Sequence, residues 1–109
     1  MTVSLPIACE PRLDLEPPDV ALATDTARLL ADRTRATVLA MLARGPHCVC
    51  EFVHATGERE NNISNHLAKL RAAGLVRATR HTADGRFQYY ERDAEACAAA
   101  LARLTALLS

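Results

Sequence analysis

The feature that most restricts the fold is a change of hydrophobic period at Gly74. Before it, Ile63, Leu67, Leu70 and Ala73 recur on one face of a helix expected over Glu60 to Ala73. After it, Leu75, Val76 and Ala78, then Phe87, Tyr89 and Tyr90, flank Ala83-Asp84-Gly85. Asp-Gly between β-favouring runs signals a hairpin, and Gly74 stands where a helix C-cap needs glycine. A helix that runs straight into a hairpin leaves few architectures open.

The rest of the chain narrows them further. Residues 1–18 contain Pro6, Pro11, Pro17 and Pro18 and are expected to form an extended, mobile arm carrying Cys9; residues 19–109 are expected to form one domain. From Asp19, Val20, Ala23, Ala27, Leu30 and Ala31 form a helical stripe. Asp32 or Thr34 caps a second helix with Thr37, Val38, Met41 and Leu42, ended by Gly45-Pro46. Cys48 to Ala55 is a short third segment, broken by Thr56-Gly57. A last helix starts at Asp93 and aligns Cys97, Leu101, Leu104 and Leu108. This order predicts a mainly α winged helix-turn-helix with a β-hairpin wing. With 109 residues, half of them apolar and none Trp, the core is small, so dimerisation is expected.

Net charge is zero, but its distribution is uneven. Residues 1–32 carry six acids and two bases, whereas residues 57–92 carry seven bases and four acids. A basic middle between acidic ends suits one face meeting phosphates. No apolar run approaches the length of a membrane span, and the acidic, Pro-containing start does not fit a signal peptide. A cytoplasmic location, with the four cysteines reduced, is therefore expected.

The helix before Gly74 carries Asn61, Asn62, Ser64, Asn65 and His66 in its first turns, Arg59 at its entry, and Lys69 and Arg71 further on. Asn pairs bidentately with adenine, and the cations suit phosphates. A solvated helix face is the plainer explanation, but Asn is a poor helix former and three in five positions cost stability. His66 is either a base-edge contact or a buried or capping histidine. The hairpin adds Arg77, Arg80, His81 and Arg86, which can straddle the DNA backbone or serve as a solvated tip. Double-stranded operator DNA is the expected partner.

Cys48-Val49-Cys50 is the sharpest short motif. At the start of a helix both thiols are expected to be biased toward thiolate, the form that binds soft ions. Cys9 is a candidate third ligand from the same or the other subunit. Three sulfurs suit As(III), Sb(III) or Pb(II), whereas Zn(II) or Cd(II) needs another ligand. Against this stand burial of Cys48 and Cys50 as small apolar residues and an incidental Cys9. Cys97 reads as core or dimer packing. Oxidation to a Cys48–Cys50 disulfide, strained at this spacing, gives a thiol-redox alternative. A small thiol oxidoreductase lacks its βαβ pattern, so no enzyme is expected; a protein-interaction module would lack salt-sensitive DNA binding.

Taken together, residues 20–92 resemble the ArsR/SmtB family of metal-sensing repressors. The resemblance lies in Leu30-Ala31-Asp32-Arg33-Thr34-Arg35, Cys48-Val49-Cys50-Glu51, Ile63-Ser64-Asn65-His66-Leu67, Leu70-Arg71-Ala72-Ala73-Gly74-Leu75-Val76 and Arg86-Phe87-Gln88-Tyr89-Tyr90. It implies a homodimer built from the first and last helices and repression relieved by an ion. The Cys-Val-Cys-acid motif is similar to the site of arsenite-sensing and cadmium/lead-sensing members, in the latter completed by arm cysteines such as Cys9. As(III) or Sb(III) is the expected inducer, with Cd(II) or Pb(II) as alternatives. Two departures stand out: Arg33 replaces the usual proline, and no His follows His81 to complete a zinc site on the last helix with Asp93.

Overall fold

The computed structural model describes residues 19–80 and 88–109. The expected arm with Cys9, and the hairpin tip with Ala83-Asp84-Gly85 and Arg86, lie outside the described residues. The elements run α1 (Val20–Leu30), α2 (Arg33–Leu42), β1 (His47–Cys48), α3 (Val49–Thr56), α4 (Glu60–Ala72), β2 (Val76–Arg80), β3 (Gln88–Arg92) and α5 (Ala94–Leu108). This is the expected mainly helical winged architecture. Among the described residues no helix is long and apolar enough to cross a membrane.

Local chemistry sets the boundaries. Asp19, Asp32 and Asp93 each accept a backbone N–H three residues on, at 3.0, 3.0 and 2.9 Å, and so start α1, α2 and α5. Gly57 adopts φ +74° and closes α3 through its N–H to the Val53 carbonyl at 2.9 Å. At the end of α4, Ala73 is the cap and Gly74, at φ +80°, is the residue after it. The Gly74 N–H donates to the Arg71 carbonyl at 2.9 Å and the Leu75 N–H to the Leu70 carbonyl at 3.1 Å. This pair of bonds is a Schellman motif, and it turns the chain from α4 into the wing.

The core is built from Val38 and Leu42 of α2, Phe52 of α3, Ile63, Leu67 and Leu70 of α4, Leu75, Val76, Tyr90 and Ala100. Ile63, Leu67 and Leu70 are therefore structural, as their spacing predicts. The sheet has an element the period did not reveal: β1 adds to the hairpin, giving the order β1-β3-β2. His47 pairs with Tyr90 and Cys48 with Tyr89, both antiparallel. Two residues are too few to register as an alternating pattern.

The stripe expected on α1 lies on a helix, as its spacing predicts, but most of it is uncovered within one chain. Only Ala23 of that set is buried; Thr26 is the other buried residue, its hydroxyl donating to the Leu22 carbonyl at 3.1 Å. Val20, Leu22 and Leu30 are exposed, as are Leu101, Leu107 and Leu108 of α5. Helix α5 packs against α1, and within one chain these outward apolar side chains have no cover.

Candidate functional site

Helices α3 and α4, joined at Gly57, form the helix-turn-helix, and α4 presents Asn61, Asn62, Ser64 and Asn65 to solvent. Asn62 Nδ2 donates to Glu58 Oε2 at 3.2 Å, which holds one amide at the entry of the helix. Arg59 occupies the N-cap position without a side-chain capping bond, and its guanidinium is exposed. Lys69 and Arg71 lie exposed in the last turn, a position the helix dipole favours for cations in any helix. The exposed first turns thus display amide groups with both donors and acceptors, a surface suited to base edges.

His66 does not belong to that face. Its side chain is 19% exposed and turned toward α2. Its Nδ1 lies 3.1 Å from Arg35 Nη1 and its Nε2 3.9 Å from Asp32 Oδ1. The sequence offered base contact and buried anchor as alternatives; both ring nitrogens face α2, which is the anchor geometry. Arg77, at the base of the wing, is engaged within the chain, though its side chain is 60% exposed. Its Nε donates to Glu91 at 2.7 Å and its Nη1 lies 3.6 Å from Asp93, so it braces the wing base against the start of α5. These two carboxylates hold the Arg77 guanidinium firmly charged, Glu91 first.

The thiol pair sits where sheet and helix meet. Cys48 ends β1 and serves as N-cap of α3, so the β-pairing with Tyr89 fixes its backbone while Cys50 lies in the first turn. The two Sγ atoms are 2.9 Å apart. Their environments differ: Cys48 is buried, at 6% exposure, and Cys50 is exposed. Burial pushes the Cys48 thiol up to about 11, and the hydrogen bond shared with Cys50 adds to the shift. This overturns the expectation that the helix start biases both thiols toward thiolate: for Cys48, desolvation outweighs the helix end. Glu51 accepts the Cys48 N–H at 3.0 Å, which holds its carboxyl below the usual range.

Cys48, Val49 and Cys50 line a surface cleft together with Glu60 and Ser64 of α4 and Gln88 and Tyr90 of β3. The thiols therefore open onto the first turns of the Asn-rich helix and the central wing strand. Gln88 and Tyr90 carried no sequence signal for this site, because only the β1–β3 pairing brings the wing to Cys48, and Glu60 carried none because it is placed there by the packing of α4 on α3. The Cys48–Glu51 contact was legible, since an acid three residues after a cap is a capping-box pattern. His47 is occupied: its Nδ1–H donates to the Gly45 carbonyl at 2.8 Å and its ring lies 5.8 Å from that of Phe52. Among the described residues no cluster of three or more His, Cys, Asp or Glu side chains is assembled for a metal. Two soft donors at one cleft fit part of a thiophilic ion's needs and leave at least one ligand to come from elsewhere. Cys97 is half-buried against the core, its thiol 3.6 Å from the Leu75 carbonyl, and its expected packing role accounts for it.

Comparison with known proteins places this geometry. The arsenic resistance transcriptional regulator ArsR1 of Pseudomonas putida is 44% identical over 64 residues, covering 58% of this chain and 48% of that protein. The HTH-type transcriptional regulator KmtR of Mycobacterium tuberculosis is 41% identical over 76 residues, covering 70% of this chain and 56% of that protein. The matched region thus spans about half the length of these curated relatives. A solved structure described as a possible transcriptional regulator for arsenical resistance is 33% identical, with a TM-score of 0.62 over 77% of this chain and 80% of that chain. The profile of the arsR family of bacterial regulatory proteins matches residues 32–78, from the cap of α2 through α4 into β2. Fold, helix-turn-helix and profile agree, and the chain belongs to the ArsR family.

Proposed function

We propose that this chain is a transcriptional repressor that binds operator DNA as a homodimer and lets go when Cys48 and Cys50 capture As(III) or Sb(III), with Cd(II) or Pb(II) as alternative inducers. Asn61, Asn62, Ser64 and Asn65 read base edges, while Arg59, Lys69, Arg71 and the wing's Arg86 meet phosphates. His66 supports the reading helix from behind. The exposed apolar residues of α1 and α5 supply the surface for pairing two copies. Cys9, on an arm preceding the domain at residues 19–109, completes a three-sulfur site. The names of the arsenic-resistance relatives favour arsenite among the inducers.

One observation carries the reading: the sulfurs share a cleft with Glu60 and Ser64 of the reading helix and with β3 of the wing. In this reading, an ion that draws a third ligand into that cleft shifts α3, α4 or the wing strand relative to one another. A coupling of about 1–3 kcal/mol between ion and DNA is typical of such linkages. The trivalent ion enters as arsenous acid, As(OH)3, and each thiol that bonds arsenic releases one water. No proton is left over in that exchange.

The test is fluorescence anisotropy on DNA from upstream of the chain's own gene. Arsenite should release the wild type and leave the Cys48→Ser, Cys50→Ser double variant bound, with Cys9→Ser intermediate. Release of the double variant by arsenite would refute the mechanism. The 2.9 Å sulfur contact also favours a second reading, oxidation of the pair to a disulfide by peroxide with release of two waters. Release by peroxide in metal-free buffer, without response to arsenite, would select it.

A further inference from the structure

We infer that Arg35 and His66 form a rigid link through which the end of α1 sets the pose of the reading helix, making His66 a positioning residue. The inference rests on the DNA-binding reading above. A guanidinium has donors only. Arg35 spends three of them on two other helices: Nε donates to the Leu29 carbonyl of α1 at 2.8 Å, Nη2 to the Arg28 carbonyl of α1 at 3.4 Å, and Nη1 to His66 Nδ1 of α4 at 3.1 Å. Leu29 and Arg28 belong to the last turn of α1, where carbonyls run short of donors from their own helix, and the Arg28 carbonyl also accepts the Ala31 N–H at 3.3 Å. Because Arg35 cannot accept, His66 Nδ1 must offer its lone pair, which places the ring proton on Nε2. Nε2 lies 3.9 Å from Asp32 Oδ1, near it but beyond hydrogen-bond length, and the same oxygen accepts the Arg35 backbone N–H at 3.0 Å.

One planar fork therefore joins the end of α1, the start of α2 and the middle of α4. The planar group has no internal rotation to absorb a displacement, so a shift of the α1 end reaches His66 directly. His66 follows Asn65 and stands one helical turn after Asn62. A movement at His66 is then a movement of the amides that face the groove. The outer face of α1, with Val20, Leu22 and Leu30 exposed, is the surface whose covering would set the pose of that helix.

The test compares operator affinity of the wild type with His66→Asn, His66→Gln, His66→Ala, Arg35→Met and the Arg35→Met, His66→Ala double variant. Asn sets an acceptor close to the Nδ1 position; Gln reaches only toward the Nε2 position. His66→Asn should stay within about threefold of wild type, whereas His66→Gln and His66→Ala should lose about tenfold or more. Asn is the poorer helix former, so helix stability alone predicts the opposite order. The loss in His66→Ala should be the same for every single-base variant of the operator, and Arg35→Met should add nothing to it. A loss confined to one base pair would make His66 a direct reader and overturn the proposal. Equal losses in Asn and Gln, or additive losses in the double variant, would overturn it too. If His66→Ala or Arg35→Met fails to fold by circular dichroism, the Asn and Gln comparison decides alone. Wild-type protein that binds no DNA would refute the function as well; wild-type binding with any of the other failures refutes only the link.

Discussion

The asymmetry of the thiol pair predicts the order in which the two sulfurs react. The perturbation is alkylation of the reduced protein with iodoacetamide at pH 8, beside a cysteine peptide as internal reference. With its thiol pushed up to about 11, Cys48 is ionised to roughly one part in a thousand at that pH. A free thiol near 8.5 is about one quarter ionised, a difference of about 200-fold. A more basic thiolate is a better nucleophile, and a Brønsted slope of about 0.4–0.5 returns roughly tenfold across that gap. The net expectation is that Cys48 reacts about twentyfold more slowly than the peptide. Its 6% exposure slows it further, while Cys50 is open to solvent. Mass-mapped peptides should therefore show Cys50 labelled first, with the Cys48 rate still rising about tenfold per pH unit up to pH 10. Cys48 labelling as fast as the peptide, or a Cys48 rate that levels off below pH 9, would refute the argument that burial and the shared hydrogen bond hold this proton. In the proposed mechanism the ion's first bond then forms at Cys50, with Cys48 closing the chelate.

Three shorter predictions follow from the same geometry. Gly74→Ala should cost about 1–2 kcal/mol in urea unfolding, because a side chain there meets no atom within 4 Å and only the φ of +80° opposes it; a loss above about 4 kcal/mol would mean a clash this geometry does not contain. Arg77→Met should leave the salt dependence of DNA binding unchanged, since Glu91 and Asp93 already engage that guanidinium; a slope smaller by about one would reveal a phosphate contact. The Asp32 carboxyl is held below its ordinary range, first by the Arg35 N–H, and Glu51 by the Cys48 N–H. Both carboxyls bind fewer protons folded than unfolded, so their contribution is present above the unfolded carboxylate range and is lost as pH falls through the folded values. Denaturant titrations should show stability falling on the acid side, with Asp32→Asn flattening part of that fall.

Much of the fold was written in local pattern. The stripe of Ile63, Leu67 and Leu70, the switch of period after Gly74 and the aspartates at positions 19, 32 and 93 are all short-range signals, and each acts through contacts within a few residues. The exposed amides of α4 were legible for the same reason. The stripe on α1 was legible too, but periodicity reports that a face is apolar and not what covers it. Val20 and Leu30 face outward within one chain, while Thr26 is buried with its hydroxyl satisfied by its own helix.

What the sequence determined by itself was the helix-turn-helix, the wing strands and the presence of two neighbouring thiols. Only tertiary structure decided what those groups do to one another. Cys48 is buried and Cys50 is left in solvent, and the pairing of β1 with β3 brings Gln88 and Tyr90 to the cleft that Glu60 of α4 also lines. The packing of α2 behind α4 takes His66 away from the outer face and gives it to Arg35, 31 residues earlier in the chain. Proton affinity and side-chain direction depend on neighbours distant in sequence, and those neighbours are chosen when the whole chain closes on its core.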